Sequence, residues 1–356
     1  MTDGGRQTSR RHHTVPRFYL RGFADGDTLL TVPLPGERRY KQSVNSAAVE
    51  TDFYALPGHD DGDDVLERAL AEVEAPTAAI IAQIASGVWP LPSADRQTLA
   101  FFIALQSTRT QTQRRTVDSL EAQLARLQIG VGGRELFKQQ LQRADPQVTN
   151  DTVDRMWAEA IRPEGPPLQV SSIEFADQML SSATQILPCI LGRPWTLVRF
   201  DRRSLVTSDH PVSLVTPADA SPWEGVGYAT AAGIIMPLTR KLGLVMGDPM
   251  VFAEHISVDR VAAGELDMTL PLGSTQMERF FNERTVGFAS KWLFLHPKDE
   301  RFLPEGLPEP NPTRMEMGSQ AWEFNGEPWG RASAGGRDDS VPARSIIRTH
   351  VRLEMP

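Results

Sequence analysis

Four short β-prone runs decide the fold: WTLVRFD (195–201), LVTSDHPVSLVT (205–216), GIIMPL (233–238) and LGLVMG (242–247). Turn residues separate these runs, and that pattern is typical of an antiparallel meander. The preceding part of the chain is instead dominated by long stretches with helical periodicity. Helices followed by strands favour an α+β fold over the alternating order of a parallel Rossmann sheet. We therefore predict long amphipathic helices packed with an antiparallel strand meander.

Helical periodicity marks the stretches on both sides of the meander. The first covers residues 64–86, and Gly87 is a typical C-terminal stop. The second begins at Ser93, a good N-cap, and extends to about residue 128, before the glycines of 130–133 break the pattern. Further helices are predicted over residues 134–142, 149–161, 171–191 and 274–289, and a last buried strand over 291–296.

These elements divide the chain into five segments. We predict a disordered leader (1–11), an N-terminal arm and hairpin (12–60), a helical region (61–191), a strand-rich region (192–303) and a loosely ordered tail (304–356). Residues 12–303 are expected to form one structural unit, with the arm crossing between the helical and the strand-rich regions.

Charge and apolar run lengths constrain the class of protein. The net charge of −8 argues against non-specific nucleic-acid binding. The arginines Arg109, Arg114 and Arg115 would still allow a local basic cleft. The N-terminus has no apolar stretch that would form a signal peptide. The longest apolar runs are far shorter than the ~20 residues of a membrane span. The single cysteine excludes an internal disulfide, which fits a reducing compartment. We therefore predict a cytoplasmic protein without a membrane partner.

The most unusual segment is HHTVPRFYLRGF (12–23). Imidazole titrates near neutrality, so His12 or His13 could serve as a metal ligand or a general base. The alternative is an arm whose two imidazoles are simply solvated or hydrogen-bonded. Adjacent residues of an extended chain point in opposite directions, so only one histidine should face a given site. We favour His13, which is next to the apolar anchors of the arm.

The pattern HHxVPxFYLxxF resembles the opening of a widespread bacterial family, the domain of unknown function number four-two-three-eight. Other stretches are similar to recurrent blocks of that family: AAVETDFYAL (47–56), LERALAEVE (66–74), LAFFIALQSTR (99–109), VTSDHPV (206–212), IMPL (235–238) and residues 282–289. The resemblance covers roughly residues 12–297. The family often has asparagine at the position of His210, and it has no established activity, so the resemblance implies no reaction.

Two glutamates and a polar block lie on successive predicted helices. Glu67 and Glu74 are about two helical turns apart and therefore share one face. A polar block that includes Gln106 and Arg109 interrupts the apolar stripe of the second helix. Because buried charge needs a partner, we expect Arg109 to be buried and paired with Glu67 or Glu74. This arrangement fits a ligand-binding cleft, and it equally fits a structural ion pair.

Asp209 lies in the SDHP segment (208–211) between two β-prone runs. It could bind a metal, or it could cap its own turn through local backbone hydrogen bonds. The candidate residues offer nitrogen and oxygen ligands without a useful thiol, a set that suits Mn²⁺, Zn²⁺, Fe²⁺ or Mg²⁺. We predict His13 and Asp209 as the metal ligands.

The chain has no Walker, GxGxxG, CxxC or HExxH motif, which disfavours P-loop hydrolysis, dinucleotide chemistry and structural zinc.

These residues support two classes of function. The first is a metal-assisted hydrolase of phosphoester bonds, with nucleases included in that class. The second is a non-catalytic sensor or effector module that binds a small anionic ligand in the same cleft. The expected partners are therefore a small anion or a nucleic acid, and the oligomeric state is left open. The predicted catalytic residues are His12, His13, Glu67, Arg109 and Asp209, and the predicted ligand-binding residues are Gln106, Glu74 and Asn282.

Overall fold

The computed structural model describes residues 11–221 and 225–311. Most of the predicted leader and the tail beyond residue 311 lie outside the described residues. Two short 3₁₀ helices cover Pro249–Phe252 and Glu300–Phe302. The α-helices of the described residues are α1 (Arg17–Arg21), α2 (Val65–Ser86), α3 (Ser93–Thr108), α4 (Gln111–Ala144), α5 (Asn150–Ala160), α6 (Ser172–Leu191), α7 (Val258–Ala262) and α8 (Thr275–Phe288).

The strands form three sheets within the described residues. They are β1 (Arg11–His13), β2 (Thr28–Pro33), β3 (Tyr40–Ser43), β4 (Val49–Thr51), β5 (Trp195–Arg199), β6 (Thr207–Ser208), β7 (Ser213–Val215), β8 (Gly233–Thr239), β9 (Leu242–Met246), β10 (Met268–Leu270) and β11 (Trp292–Leu295). The strand orders are β1-β4, β10-β5-β9-β8-β7 and β3-β2-β11-β6. All pairs are antiparallel except β10 with β5. The predicted α+β class is confirmed.

The predicted second helix is in fact two helices. α3 ends at Thr108, and Arg109 leaves the helical conformation with φ −90° and ψ 33°. The Thr110 hydroxyl then accepts a hydrogen bond from the Gln113 amide (3.1 Å), as an N-cap does at the start of a new helix. Periodicity alone predicted one helix because the apolar stripe resumes after this polar block. The predicted glycine break is confirmed: α4 consists of two helical stretches that meet at a kink at Gly133, which is non-helical with φ 72° and ψ 166°.

The chain divides into two compact units. Within the described residues, the first contains 11–122, 168–221 and 225–311, and the second contains 123–167. The second unit comprises most of α4 together with α5, where Arg134 pairs with Asp154 (2.5 Å) and Phe137 packs against Trp157. The first unit contains all three sheets and the large apolar core, and both cavities described below lie within it.

The N-terminal arm is attached to the strand-rich region through Tyr19. Its buried hydroxyl donates to the Pro237 carbonyl (2.6 Å) and lies 2.8 Å from the Thr207 hydroxyl. Strand β2 of the same arm pairs with β11. The arm therefore reaches the sheets as predicted. β1 pairs with β4 instead, with His12 opposite Glu50 and His13 opposite Val49.

A fully buried ion pair anchors α3 to the central sheet. The Arg96 guanidinium and the Asp267 carboxylate are both inaccessible to solvent, and Arg96 Nε lies 2.8 Å from Asp267 Oδ2. Arg96 also donates to the backbone carbonyls of Leu191, Arg193 and Ala262. Its guanidinium lies 4.1 Å from the ring centroid of Trp195. The partners of this arginine fix the start of α3 against β5 and the segment before β10.

None of the helices in residues 11–221 and 225–311 has both the length and the apolar character of a membrane-spanning segment.

Candidate functional site

A cavity of about 520 Å³, the arm pocket, lies between β1, α1 and one face of α2. Leu70 and several alanines of α2 supply its apolar surface. Its polar lining comes from His13, Arg17, Arg21, Tyr54, Glu67 and Glu74. The two glutamates share this face because they are two helical turns apart, as the sequence predicted.

His12 is buried beside this pocket and contacts Glu67. Its Nδ1 accepts a hydrogen bond from the Tyr54 amide (2.8 Å), so in the neutral ring the proton lies on Nε2. That Nε2 is 3.6 Å from Glu67 Oε2. The imidazole also stacks on the Tyr54 ring, with the centroids 5.6 Å apart. These contacts fix the orientation of His12, and its Nε2 faces the Glu67 carboxylate at the wall of the pocket.

His13 lines the arm pocket directly. Its Nε2 is itself buried and has no hydrogen-bond partner among the described residues. Burial and the nearby Arg17 charge lower the pKa of His13, although hydrogen bonds with the backbone of Val44 and Asn45 oppose the shift. His13 is therefore a neutral imidazole at pH 7 with an unused ring nitrogen.

Arg109 lies behind the wall of the pocket. Its guanidinium is 1 % exposed, and Nη1 is 2.8 Å from Glu74 Oε1. With the Gln106 amide turned so that its oxygen faces the guanidinium, that oxygen accepts from Arg109 Nε (2.6 Å) and Nη2 (2.7 Å). The Tyr54 hydroxyl donates to the Arg109 carbonyl (3.3 Å), and burial raises the pKa of Tyr54. The predicted burial of Gln106 and Arg109 and the predicted pairing with a carboxylate are confirmed, while their roles in binding or catalysis stay predictions.

The two arginines of α1 bring positive charge to the pocket. Arg21 pairs with Asp27 (3.0 Å) at the surface. Arg17 reaches the Asn45 side chain at 3.5 Å and forms no ion pair with a carboxylate in the described part of the chain. Arg17 therefore offers an exposed cation that a ligand could use.

Asp209 lies away from the arm pocket, at the wall of a second cavity of about 290 Å³. Its Oδ1 accepts from the Ser290 amide (2.9 Å), and its Oδ2 accepts from the amides of Lys291 (2.9 Å) and Trp292 (3.2 Å). Burial of the carboxyl raises the pKa of Asp209 to about 6, although these three N–H groups oppose the shift. Asp209 thus holds the start of β11 through a turn-capping arrangement made across two segments.

The structure therefore brings together only part of the predicted cleft. His13, Glu67 and Glu74 line the arm pocket, His12 and Arg109 contact these glutamates from behind, Gln106 contacts Arg109, and Asp209 lines another cavity. Asn282 is buried in α8, where it binds the Val206 amide and the Ser204 and Phe302 carbonyls.

The predicted metal ligands His13 and Asp209 line separate cavities. Across residues 11–221 and 225–311, no group of three or more histidine, cysteine, aspartate and glutamate side chains is arranged to hold a metal ion. The metal-binding prediction is therefore left without an assembled set of ligands.

Sequence reasoning missed Arg17, Arg21 and Tyr54 as pocket residues. The two arginines are four residues apart, a spacing that places both on one face of a helix. Tyr54 follows the arm directly before α2, and its buried hydroxyl and amide connect the histidine strand to the α3 terminus. The arginine spacing was a usable signal, while the Tyr54 contacts depend on tertiary packing.

The raised pKa of Asp209 predicts a specific pH dependence of stability. Because the folded chain binds this proton more tightly than the unfolded chain, the contribution is fully present below pH 3.8 and is lost as the pH rises through about 6. Relative to Asp209→Asn, the wild type should lose about 3 kcal/mol of unfolding free energy across this range, because each pKa unit corresponds to about 1.4 kcal/mol. Urea unfolding of both proteins at several pH values measures the difference, and a difference that is constant with pH would contradict the prediction.

A family model described as "Protein of unknown function (DUF4238)" matches residues 11–299. No curated protein and no solved structure matches the chain.

Proposed function

Because the chain belongs to the DUF4238 family of proteins of unknown function, as its sequence motifs predicted, we propose its activity from the arm pocket alone. The proposal is that the pocket binds a small phosphate-bearing molecule and that the chain hydrolyses its phosphoester bond. One observation carries it: His13, a neutral imidazole with an unused ring nitrogen, lines the same cavity as the cationic Arg17 and Arg21.

The cations of α1 supply the binding part of this proposal. Guanidinium groups donate two parallel hydrogen bonds to phosphate oxygens, which makes arginine well suited to phosphate recognition. Arg17 has no carboxylate partner among the described residues, so its charge can pair with a ligand. Arg21 shares its charge with Asp27 and would contribute less.

His13 supplies the catalytic part. As a general base, its Nε2 would take a proton from a water molecule while the water oxygen forms a bond to phosphorus and the bond from phosphorus to the ester oxygen breaks. The same proton then passes to the departing oxygen. His12 is assigned a positioning role, because its Nε2 lies 3.6 Å from Glu67, which lines the same cavity as His13. A cavity of about 520 Å³ and a net charge of −8 favour a small phosphoester over a nucleic acid.

A second candidate is a binding module without catalysis. The contacts of both pocket glutamates favour it, since Glu74 is bound by Arg109 and Glu67 lies beside His12. A carboxylate bound by a buried arginine, as Glu74 is, gives the pocket a fixed wall for recognition. In that case the pocket would bind the same anion and leave it unchanged.

Variants of His13 and Arg17 separate the two candidates. We expect Arg17→Ala to weaken binding of inorganic phosphate roughly tenfold, the effect of about 1.4 kcal/mol. His13→Ala should leave binding nearly unchanged and lower hydrolysis of p-nitrophenyl phosphate by about 10²–10⁴-fold. Because the pKa of His13 is lowered, the acid limb of the wild-type pH–rate profile should lie below pH 6.5.

Calorimetry with phosphate and a colorimetric rate assay provide the two readouts. Arg202→Ala is the matched control, since Arg202 is an exposed arginine outside the arm pocket. Saturable binding without any turnover would favour the binding module. If phosphate and phosphoesters fail to bind the wild type, both candidates are wrong.

A further inference from the structure

The cavity beside Asp209, here called the sheet cavity, is a second candidate ligand site. Its floor is one face of the four-stranded sheet, because the alternating residues Tyr40 and Gln42 of β3 and Trp292 and Phe294 of β11 all line it. The first turn of α4 supplies the facing wall. The cavity shares no lining residue with the arm pocket.

Two polar side chains of this wall have unused hydrogen-bonding capacity. Thr112 is 2 % exposed, and its Oγ1 has no partner among the described residues. Oε1 of the adjacent Gln111 likewise has no hydrogen-bond partner within residues 11–221 and 225–311. Buried polar atoms are nearly always hydrogen-bonded in folded proteins. Two buried polar atoms without hydrogen-bond partners in one cavity wall therefore point to a ligand that supplies those partners.

The charges around the cavity are balanced. Arg115 and Lys291 are the cations that line it, and Glu50 and Asp209 are the anions. The Asp209 carboxylate is fixed in place by three backbone N–H groups, two on Oδ2 and one on Oδ1, so Oδ1 retains capacity for a further donor. A ligand with one charge only would leave the groups of like sign without a partner, whereas a ligand with both charges satisfies each set.

We propose that the sheet cavity binds a small zwitterion of the free amino-acid class. Its carboxylate would pair with Arg115, its ammonium group would pair with Asp209, and the Thr112 hydroxyl would complete the hydrogen bonds. The aromatic ring of Tyr40 gives the amino-acid side chain an apolar surface, whereas the Trp292 ring contacts the Lys291 ammonium, which lies 4.8 Å from its centroid. The volume of about 290 Å³ suits a ligand of this size, at the lower end of small-molecule pockets.

The test uses the full chain and the twenty free L-amino acids as probes, screened by thermal shift and measured by calorimetry. The tightest amino acid is then compared with its own analogues that lack the ammonium or the carboxylate. We expect each analogue to bind at least roughly tenfold more weakly, because one charge pair is lost. No saturable binding of any amino acid up to about 10 mM overturns the proposal, as does an analogue that binds as tightly as its parent.

Variants locate the binding in this cavity. Arg115→Ala removes an exposed guanidinium and should weaken binding about tenfold. Thr112→Val removes the orphaned hydroxyl at constant shape, so it should weaken binding while the melting temperature of the free protein stays equal or rises. Arg202→Ala is the control and should bind normally. If Arg115→Ala and Thr112→Val both bind like the wild type, the cavity is not the site.

Discussion

Asp267→Ala is expected to lower the free energy of unfolding by about 3–5 kcal/mol. The reason is that Arg96 is fully buried, so removal of its carboxylate leaves a positive charge in the interior without a counter-charge. The Trp195 amide also loses its acceptor, which lies 2.9 Å away on Asp267 Oδ1. The carbonyls around Arg96 would still accept hydrogen bonds, but they carry no net charge to offset the cation.

Chemical denaturation of the wild type and the variant measures this loss. The pair Arg260–Glu265 is the control, because it also joins an arginine to a carboxylate, at 2.5 Å, but both side chains are exposed. Glu265→Ala should therefore cost less than about 1 kcal/mol. Asp267→Asn keeps the shape and one acceptor, so its loss should be smaller than that of alanine. Equal losses for Glu265→Ala and Asp267→Ala would show that burial does not set the strength of the Arg96 pair.

Arg109→Ala should cost about 3 kcal/mol, near the lower end of the range for a broken buried pair. Arg109 is buried, but the side chain of its partner Glu74 is 28 % exposed and can regain some hydration when the arginine is removed. Gln106 loses both of its hydrogen bonds to the guanidinium as well. The effect should therefore be large, yet smaller than that of Asp267→Ala.

A double-mutant cycle tests this pair directly. We expect Arg109→Met combined with Glu74→Met to cost less than the sum of the two single changes, because neither charge is then left alone. Arg134→Ala, which breaks the exposed pair with Asp154, is the surface control. Additive single effects in the cycle would mean that Arg109 stabilises the fold through packing and not through Glu74.

The sequence predicted the helices well wherever periodicity and end signals agreed. α2 ends where Gly87 takes a left-handed conformation (φ 114°), as expected for a glycine stop. The α3–α4 boundary was missed because an apolar stripe on each side of the polar block looks continuous. Three of the four strand runs were also predicted in place, since they alternate with turn residues. The prediction of one run over 205–216 was wrong, because this segment forms two strands, β6 and β7, that belong to different sheets.

The candidate site was predicted in part for a physical reason. Glu74 and Arg109 could be paired from the sequence because buried charge requires a partner. The separation of His13 from Asp209 could not be predicted, because no local pattern states which cavity a strand end faces. The same limit applies to Tyr19, whose hydroxyl meets Thr207 at a separation of 188 residues along the chain. Contacts between residues so far apart in sequence are determined by the packing of the whole unit.

The short junction between α3 and α4 constrains how the chain can change in length. Arg109 at one end of it supports the arm pocket, and Thr112 at the other end lines the sheet cavity. An α-helix turns by about 100° per residue, so one inserted or deleted residue here would rotate the start of α4 by that angle relative to α3. Such a change would disrupt both cavities in a single step, whereas substitutions could alter either one separately.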